Sequence, residues 1–435
     1  MRLLSLLLCP LVLLSTHVAL IHAQEIRPID RERAHVMLHQ VKHEIERSYY
    51  DPSFHGVDLA AKAELAEALI DSATSLGGAT AAIAQFAMSL DDSHTFFAPP
   101  ATTVRVDYGW DMTMIGDSCL VTKVKPGSDA EARGVRRGDM VLAINGYRPT
   151  RANIWQLLYV YRLLRPQPGL RVVLQRGADT PRQLDLAAHV TRGRLVVDLT
   201  GADGGEDVAR LIRDAEKESR ELDPHWAEFG DSVVAVRLPT FDVSDKLIRE
   251  LLEHARGHSA LIVDLRDDAG GAISALRTLV SQVDSGDVMV AALHERDGAD
   301  TLVARGEGPD AFGGRVIVLV NSRSASASEL FARVMQLTGR GTVLGDRTAG
   351  AVMRARFHVL TISVETAIAH GVNVTDADLV MADGGRLEGH GVIPDELILP
   401  SAADLAAGRD PVLARAFELA GMTVTPEWAG QLFTD

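Results

Sequence analysis

The stretch at 316–350 limits most strongly what this chain can fold into. It opens with an apolar run at 316–320, which predicts a buried strand. The run Ser-Ala-Ser-Ala-Ser follows at 324–328, and apolar spacing at 329–337 then predicts a helix that ends near Gly339. The small residues therefore lie on a strand-to-helix turn, where backbone N–H groups can stabilise an oxyanion. From these residues alone, a serine at this turn is either a nucleophile or an ordinary helix N-cap.

Strand-like and helical patterns alternate on both sides of that turn. Apolar runs that predict strands lie at 233–238, 260–265 and 342–344, and helical spacing lies at 245–255 and 272–283. Such alternation predicts a parallel sheet with helical crossovers, which is an α/β fold. A final helix is predicted from Asp410 onward, and the segment 199–231 is interpreted as an acidic, partly helical connection back to this region.

The first part of the chain has a helical pattern. Three helices are predicted over 33–49, 59–76 and 79–90, with Gly77 and Gly78 ending the second one. His35, His39 and His43 fall on one face of the first helix, where they form either a metal site or, far more commonly, a solvated polar stripe. No carboxylate or cysteine cluster accompanies them, so we expect no metal.

Length and charge narrow the class of protein. A chain of 435 residues exceeds one compact core, so two or three domains are expected. A net charge of −15 disfavours binding to the phosphate backbone of nucleic acids.

The first residues have the pattern of an export signal. One cation precedes an apolar run, and Ala23 provides a small residue at a cleavage position, so 1–23 is predicted to be a signal peptide. An uncleaved anchor helix is the alternative, although polar residues interrupt the run. Removal of the signal leaves Cys119 as the only cysteine, and its strand-like surroundings favour a buried small hydrophobe over a nucleophile.

Four motifs together resemble the S41 serine peptidases, which include the tail-specific, or C-terminal processing, proteases and the tricorn-core enzymes. The motifs are Asp-Ser-His-Thr at 92–95, Asp-Leu-Arg-Asp-Asp-Ala-Gly-Gly at 264–271, the Ser-Ala-Ser-Ala-Ser-Glu turn, and Leu-Glu-Gly-His-Gly-Val at 387–392. They occur in the family's order and span nearly the whole chain.

The resemblance implies a division into domains. It implies an N-terminal helical domain over 24–103, an inserted, circularly permuted PDZ domain over 104–192 and a crotonase-like ββα core over 193–435. The PDZ resemblance rests on the helix-turn-strand pattern at 127–146, which ends in Asn-Gly. Its peptide-binding loop corresponds to Tyr108, Gly109, Trp110, Asp111 and Met112. Because Asp111 stands where the loop usually has a glycine, strict recognition of a peptide carboxylate is not expected.

The resemblance also implies catalytic roles. Ser326 corresponds to the nucleophile, and the oxyanion donors correspond to the N–H of Ala327 and of either Gly270 or Gly271. Processing proteases use a lysine base at the position of Ala351, and this chain has no lysine after Lys246.

Asp-Ser-His is instead similar to the tricorn-core pattern, in which His94 is the base and Ser93 orients it. Glu388 then polarises Ser93. The alternative for Glu388 is a surface carboxylate before a glycine turn, and His390 is a competing histidine with a structural role.

The resulting expectation is a secreted or periplasmic serine endopeptidase whose PDZ domain feeds or gates the site. Its partners are polypeptide substrates, without nucleic acid or stable membrane insertion after signal cleavage, and a homo-oligomer remains open. No cofactor is implied. The alternative is a non-catalytic ligand- or peptide-binding protein on the same scaffold.

Overall fold

The computed structural model of the protein describes residues 26–101, 104–192, 222–364 and 366–433. The predicted signal peptide at 1–23 and most of the predicted connection at 199–231 lie outside these residues. Within the described ranges, no helix combines the length and the apolar character needed to span a membrane.

The first described region is helical, as predicted. Its elements are α1 (Pro28–Ser48), α2 (Leu59–Ser72), α3 (Leu76–Ala87) and the short strand β1 (Phe96–Ala98). The prediction that Gly77 and Gly78 end the second helix is wrong. Ser75 caps α3 by accepting the Gly78 N–H over 3.2 Å, so both glycines lie in the first turn of the next helix.

The region 104–192 forms a separate sheet with its own apolar core. Its elements are β2 (Val104–Asp107), β3 (Trp110–Ile115), β4 (Ser118–Val124), α4 (Asp129–Ala132), β5 (Met140–Ile144), α5 (Ile154–Tyr159), β6 (Gly169–Gln175), β7 (Arg182–Ala187) and β8 (His189–Arg192). Strands β3 to β7 form a five-stranded antiparallel sheet in chain order, with β3 at one edge. Strand β2 pairs with β8 where the chain enters and leaves. Helix α5 had no clear sequence signal.

The remaining described residues form the largest part of the fold. Its elements are β9 (His225–Phe229), β10 (Val233–Arg237), α6 (Asp245–Glu253), β11 (Ala260–Asp264), α7 (Ile273–Val283), β12 (Val288–Glu295), β13 (Gly298–Ala304), β14 (Arg315–Val320), α8 (Ala327–Thr338), β15 (Gly341–Gly345), β16 (Met353–Val364), β17 (Thr366–Val380), β18 (Glu396–Leu397), α9 (Ala402–Ala407), α10 (Pro411–Leu419) and α11 (Pro426–Ala429).

A six-stranded sheet in the order β18-β15-β14-β11-β10-β9 organises this region. Strands β10, β11, β14, β15 and β18 pair in parallel, which confirms the predicted parallel α/β arrangement. Strand β9 pairs antiparallel at the edge and was not predicted. Since parallel strands end at the same edge, the turns after β11 and β14 meet there. The predicted crotonase-like ββα arrangement stays a prediction.

A second sheet brings the N-terminal region to that edge. The long hairpin of β16 and β17 pairs with β12, and β1 pairs antiparallel with β17 so that Phe97 lies opposite Val372. The same hairpin shares an apolar core with α1 to α3. The residues just before β1 are thereby held close to the carboxyl edge of the six-stranded sheet.

Candidate active site

Ser326 lies between β14 and α8, where its backbone has φ 54° and ψ −116°. Such a conformation costs a residue with a side chain about 1–3 kcal/mol, so neighbouring contacts must hold it. The Ser326 N–H donates to Ala351 O over 2.8 Å and to Glu329 Oε2 over 3.2 Å. Ser326 is partly exposed at the end of the sheet, as a reacting hydroxyl must be.

The two flanking serines differ from Ser326. Ser324 and Ser328 are both 0% exposed. Ser324 Oγ donates to Leu265 O over 2.8 Å, and Ser328 Oγ donates to Asp268 O over 3.1 Å. Both hydroxyls therefore tie the turn after β14 to the turn after β11, whereas Ser326 is the serine of the run that a substrate could reach.

A chain of hydrogen bonds connects Glu388, Ser93 and His94. Ser93 Oγ donates to Glu388 Oε2 over 2.9 Å and lies 2.7 Å from His94 Nδ1. Glu388 Oε1 also accepts the Ser93 N–H over 2.8 Å. Because the single Ser93 proton goes to the ionised carboxylate, Ser93 Oγ accepts the proton on His94 Nδ1. His94 Nε2 is then left unprotonated, which is the form of a general base.

Ala351 and Val352 link the hydrogen-bonded group of Glu388, Ser93 and His94 to Ser326. Ala351 accepts the Ser326 N–H, and the next residue, Val352, donates its N–H to Glu388 Oε2 over 2.7 Å. Among the described residues no hydrogen bond joins Ser326 Oγ to His94 Nε2. Catalytic hydrogen bonds of ligand-free sites are often long and tighten only around substrate.

Burial shifts the ionisation of this group. It lowers the pKa of His94 below its usual 6.5, although the Asp92 carboxylate opposes the shift. Burial also raises the pKa of Glu388 above its usual 4.5, opposed by the N–H groups of Val352 and Ser93 and by the Ser93 hydroxyl. His94 is consequently neutral at pH 7.

Asp92 holds the backbone of His94 in place. The sequence indicated only an acidic turn here and did not predict this role. Asp92 Oδ1 accepts the His94 N–H over 2.9 Å, the Thr95 N–H over 2.6 Å and the Thr375 hydroxyl over 2.8 Å. Asn373 Nδ2 donates to His94 O over 2.8 Å from β17. The histidine is thus held by both the turn and the hairpin.

The glycines after β11 pack directly against Ser326. A Cβ on Gly270 would lie 2.7 Å from Ser326 Cβ and 3.0 Å from Ala327 N, so any other residue there would force Ser326 to shift. The Gly270 N–H already donates to Asp268 Oδ1 over 2.7 Å. The N–H groups of Gly271 and Ala327 donate to no acceptor among the described residues, so both are free to bind a negatively charged oxygen.

Asp268 lies behind that turn and was not singled out from the sequence. It is 0% exposed, and its Oδ2 has no hydrogen-bond partner in the described part of the chain. Burial raises its pKa to about 8, so the side chain is largely neutral at pH 7. A buried carboxyl at the centre of two turns has no signature in sequence beyond its acidic neighbours.

The predicted peptide-binding loop borders an apolar groove of the 104–192 sheet. Tyr108, Trp110 and Met112 line this small groove together with Leu157 of α5 and Tyr161. The Gly109 N–H is taken by Asp107 Oδ1 over 2.8 Å. A groove between an edge strand and a helix can receive an added strand.

Asp111 stands at the position where the predicted peptide-binding loop usually has a glycine. Its Oδ1 accepts the Met112 N–H over 2.7 Å and Arg162 Nη2 over 2.7 Å. Arg323, three residues before Ser326, donates to both carboxylate oxygens over 2.9 and 3.0 Å. These two arginines lower the pKa of Asp111, against the effect of its burial.

The outer edge of β3 is covered by the core. Arg323 Nη2 donates to Met112 O over 3.1 Å, and Ser322 Oγ donates to Met114 O over 2.5 Å. Further along, the Gly116 N–H donates to Asp346 Oδ2 over 2.9 Å. The main-chain groups that an added peptide strand needs are therefore already bonded to the segment that carries Ser326.

The remaining candidates have structural partners. His35 pairs with Asp71 over 2.9 Å, and within the described ranges no three His, Cys, Asp or Glu side chains form a group that could hold a metal ion. Cys119 is buried, and burial raises its pKa to about 12, which suits a small hydrophobe. His390 Nδ1 lies 2.8 Å from Glu388 O in an exposed turn.

Comparison with known proteins finds a family match within the core. Residues 232–398 match the family model of peptidase family S41. This region holds Ser326, Glu388 and the glycine turn.

The curated relatives are C-terminal processing and tail-specific proteases. The chain is 26% identical over 376 residues to the chloroplastic C-terminal processing peptidase of Tetradesmus obliquus. This alignment covers 82% of this chain and 75% of the relative. It is 23% identical to the tail-specific protease of Haemophilus influenzae, over 70% of this chain and 43% of the relative. It is 24% identical to the carboxyl-terminal-processing protease of Synechocystis, over 67% of this chain and 62% of the relative. The chain thus spans less than two thirds of two of these three relatives.

Solved structures support the fold. Mature CPAF complexed with lactacystin superimposes with a TM-score of 0.62 at 14% identity, covering 87% of this chain and 96% of that one. The photosystem II D1 C-terminal processing protease gives a TM-score of 0.50 at 20% identity, over 84% and 93% of the two chains.

We predict that Gly270→Ala displaces Ser326 while the chain still folds. The added Cβ meets Ser326 Cβ at 2.7 Å, and the residue's φ of +95° is strained for alanine. Covalent labelling of Ser326 by a fluorophosphonate should slow by about 10²-fold, the usual cost of misplacing a reacting atom by about 1 Å. Gly298→Ala, whose Cβ meets nothing within 4 Å, is the matched control. Equal labelling of both variants would contradict the placement of Ser326 against Gly270.

Proposed function

We propose that the protein is an exported serine endopeptidase that cleaves polypeptides through an acyl-enzyme on Ser326. The observation that carries this proposal is the hydrogen-bond chain Glu388–Ser93–His94, which the adjacent residues 351 and 352 connect to the strained Ser326 turn. Export rests on the signal-like pattern at 1–23.

The proton path follows from the bonds on each side chain. His94 Nε2 takes the Ser326 Oγ proton as the oxygen attacks the substrate carbonyl, and the imidazolium then protonates the leaving amine. Ser93 and Glu388 stabilise the imidazolium through Nδ1, because the carboxylate draws the Ser93 proton toward itself. A water deprotonated by His94 then releases the acyl group from Ser326.

The charge on the tetrahedral intermediate goes to backbone N–H groups. Ala327 begins α8, so its N–H lies at the positive end of a helix dipole. We assign Gly271 as the second donor, because the Gly270 N–H is committed to Asp268. This assignment narrows the two glycines that the sequence left open.

We further propose that 104–192 is a PDZ domain that engages substrate. An extended peptide would add to β3 over the apolar groove and would have to release Ser322 and Arg323 from the strand edge. Because Asp111 already occupies the Met112 N–H, a peptide's terminal carboxylate has no free place in the loop.

The central test is substitution of each serine in the turn. Ser326→Ala should abolish cleavage of a mixed peptide library read by mass spectrometry, a loss of about 10⁴–10⁶-fold in rate. Ser324→Ala and Ser328→Ala remove buried structural hydroxyls and should retain activity in the fraction that folds.

If wild-type protein neither cleaves the library nor reacts with a fluorophosphonate at pH 8, the protein is a binder on this scaffold. Activity in Ser326→Ala would mean that another residue is the nucleophile.

His94→Ala should lose about as much activity as Ser326→Ala, since residues of one catalytic unit are not additive. Because burial lowers the pKa of His94 below 6.5, the neutral base forms as the pH rises through a value under 6.5. The measurement is kcat/KM against pH for both proteins. An unchanged histidine limb in His94→Ala, with activity within tenfold of wild type, would identify a different base. Glu388→Gln should lose less, because it acts through Ser93.

Peptide binding to 104–192 should depend little on a free carboxylate. In the full chain carrying Ser326→Ala, a peptide acid and its amide should bind with affinities within about threefold. Asp111→Ala frees the Met112 N–H and the arginines, so it should raise preference for the acid. Asp185→Ala, which removes an exposed aspartate of the same sheet, is the control. A wild-type preference above about 30-fold, or about 2 kcal/mol, would reveal a strict carboxylate site.

A further inference from the structure

Glu329 is a buried carboxylate that the catalytic steps above do not use. It is 0% exposed and lies in the first turn of α8, three residues after Ser326. The sequence suggested only an ordinary helix-capping role for it. A charged side chain without exposure is rare unless its environment supplies specific partners.

Four donors surround the Glu329 carboxylate. Oε1 accepts the Thr348 hydroxyl over 2.5 Å and the Gly350 N–H over 2.8 Å. Oε2 accepts the Ala351 N–H over 2.8 Å and the Ser326 N–H over 3.2 Å. All four are donors, so this arrangement suits the ionised form, which can only accept. A proton on either oxygen would face a donor.

These partners belong to two parts of the catalytic group. Ser326 carries the proposed nucleophile in a strained backbone conformation, and Ala351 holds the same Ser326 N–H with its carbonyl. Val352, the next residue, holds Glu388 and through it the histidine. Glu329 therefore joins the turn of the nucleophile to the segment that positions the base.

We propose that Glu329 is a positioning residue whose carboxylate locks the Ser326 turn to the 348–351 segment and so sets the distance between nucleophile and base. This inference rests on the proposed function. In the locked state Ser326 keeps its positive φ. When the lock is protonated, one donor loses its acceptor and the turn can relax toward an unstrained backbone.

The ionisation of Glu329 supplies a measurable signature. Burial raises its pKa to about 7, and its hydrogen bonds oppose the shift. The other titratable groups of the site, Asp268, His94 and Glu388, exchange no hydrogen bond with it, and Arg333 one turn along α8 pairs with Asp383. The pH profile of wild-type activity should thus show two ionisations. One is that of His94, and the other is that of Glu329 at a higher pH of about 7.

The stability of the fold should change with pH in the direction opposite to activity. A folded-state pKa above the usual 4.5 means that Glu329 favours folding most below pH 4.5 and loses that contribution as the pH rises through about 7. Activity requires the carboxylate, whereas the fold alone favours the acid. Loss of activity without loss of stability therefore separates positioning from a merely structural role.

The test compares Glu329→Gln with wild type in three measurements. We expect kcat, and the rate at which a fluorophosphonate labels Ser326, to fall by about 10²-fold at pH 8, with a smaller change in KM. The ionisation near about 7 should disappear from the kcat/KM profile, leaving that of His94. The unfolding temperature at pH 8 is measured alongside and the rates are expressed per folded protein, because the glutamine NH2 faces donors that the carboxylate had accepted from.

A second pair of variants keeps the test decisive if Glu329→Gln folds poorly. Thr348→Val removes one donor to the carboxylate and should lower kcat, whereas Thr348→Ser keeps the hydroxyl and should restore it. Wild-type labelling at Ser326 together with undiminished kcat in Glu329→Gln, or equal kcat in the two Thr348 variants, overturns the positioning role. A wild-type protein that neither cleaves nor labels overturns the proposed function instead.

Discussion

The bonds between Ser93 and Glu388 are the contact on which the site depends. They join residues 295 positions apart, and each end is supplied by a different part of the fold. Ser93 is placed by the pairing of β1 with β17, and that pairing in turn rests on the core shared by α1 to α3 and the hairpin. The N-terminal helices therefore help to position the candidate site, because losing their packing would displace Ser93 and His94 and leave Ser326 in place.

Buried carboxyl groups are concentrated around this contact. Asp268, Glu329 and Glu388 all have pKa values raised by burial, and Asp92 keeps one oxygen without a partner among the described residues. Raised values mean that each group stabilises the fold less as the pH rises. The site thus reduces stability at neutral pH, as expected where preorganised polar groups serve function, and the large apolar core beneath it offsets that cost.

Local patterns in the sequence predicted the parallel core and the strand-turn-helix around Ser326, because apolar periodicity and capping act over a few residues. They failed where a residue distant in sequence, or a competing helix cap, determines the local structure. Gly77 and Gly78 were interpreted as a helix end, yet Ser75 makes them a helix start. The antiparallel strand β9 and the pairing of β12 with β17 have no local signal. Asp111 was identified as unusual, but its partner Arg323 lies 212 residues away and could not be named from sequence.

The covered edge of β3 also bears on solubility. An open edge strand offers unpaired N–H and C=O groups to any other chain, and proteins commonly protect such edges with charges or neighbouring segments. Here Ser322, Arg323 and Asp346 provide that protection from outside the sheet. If 104–192 were separated from the core, or the two were forced apart by heat, β3 would become a template for pairing between molecules. The region should consequently aggregate more readily as an isolated fragment than within the full chain.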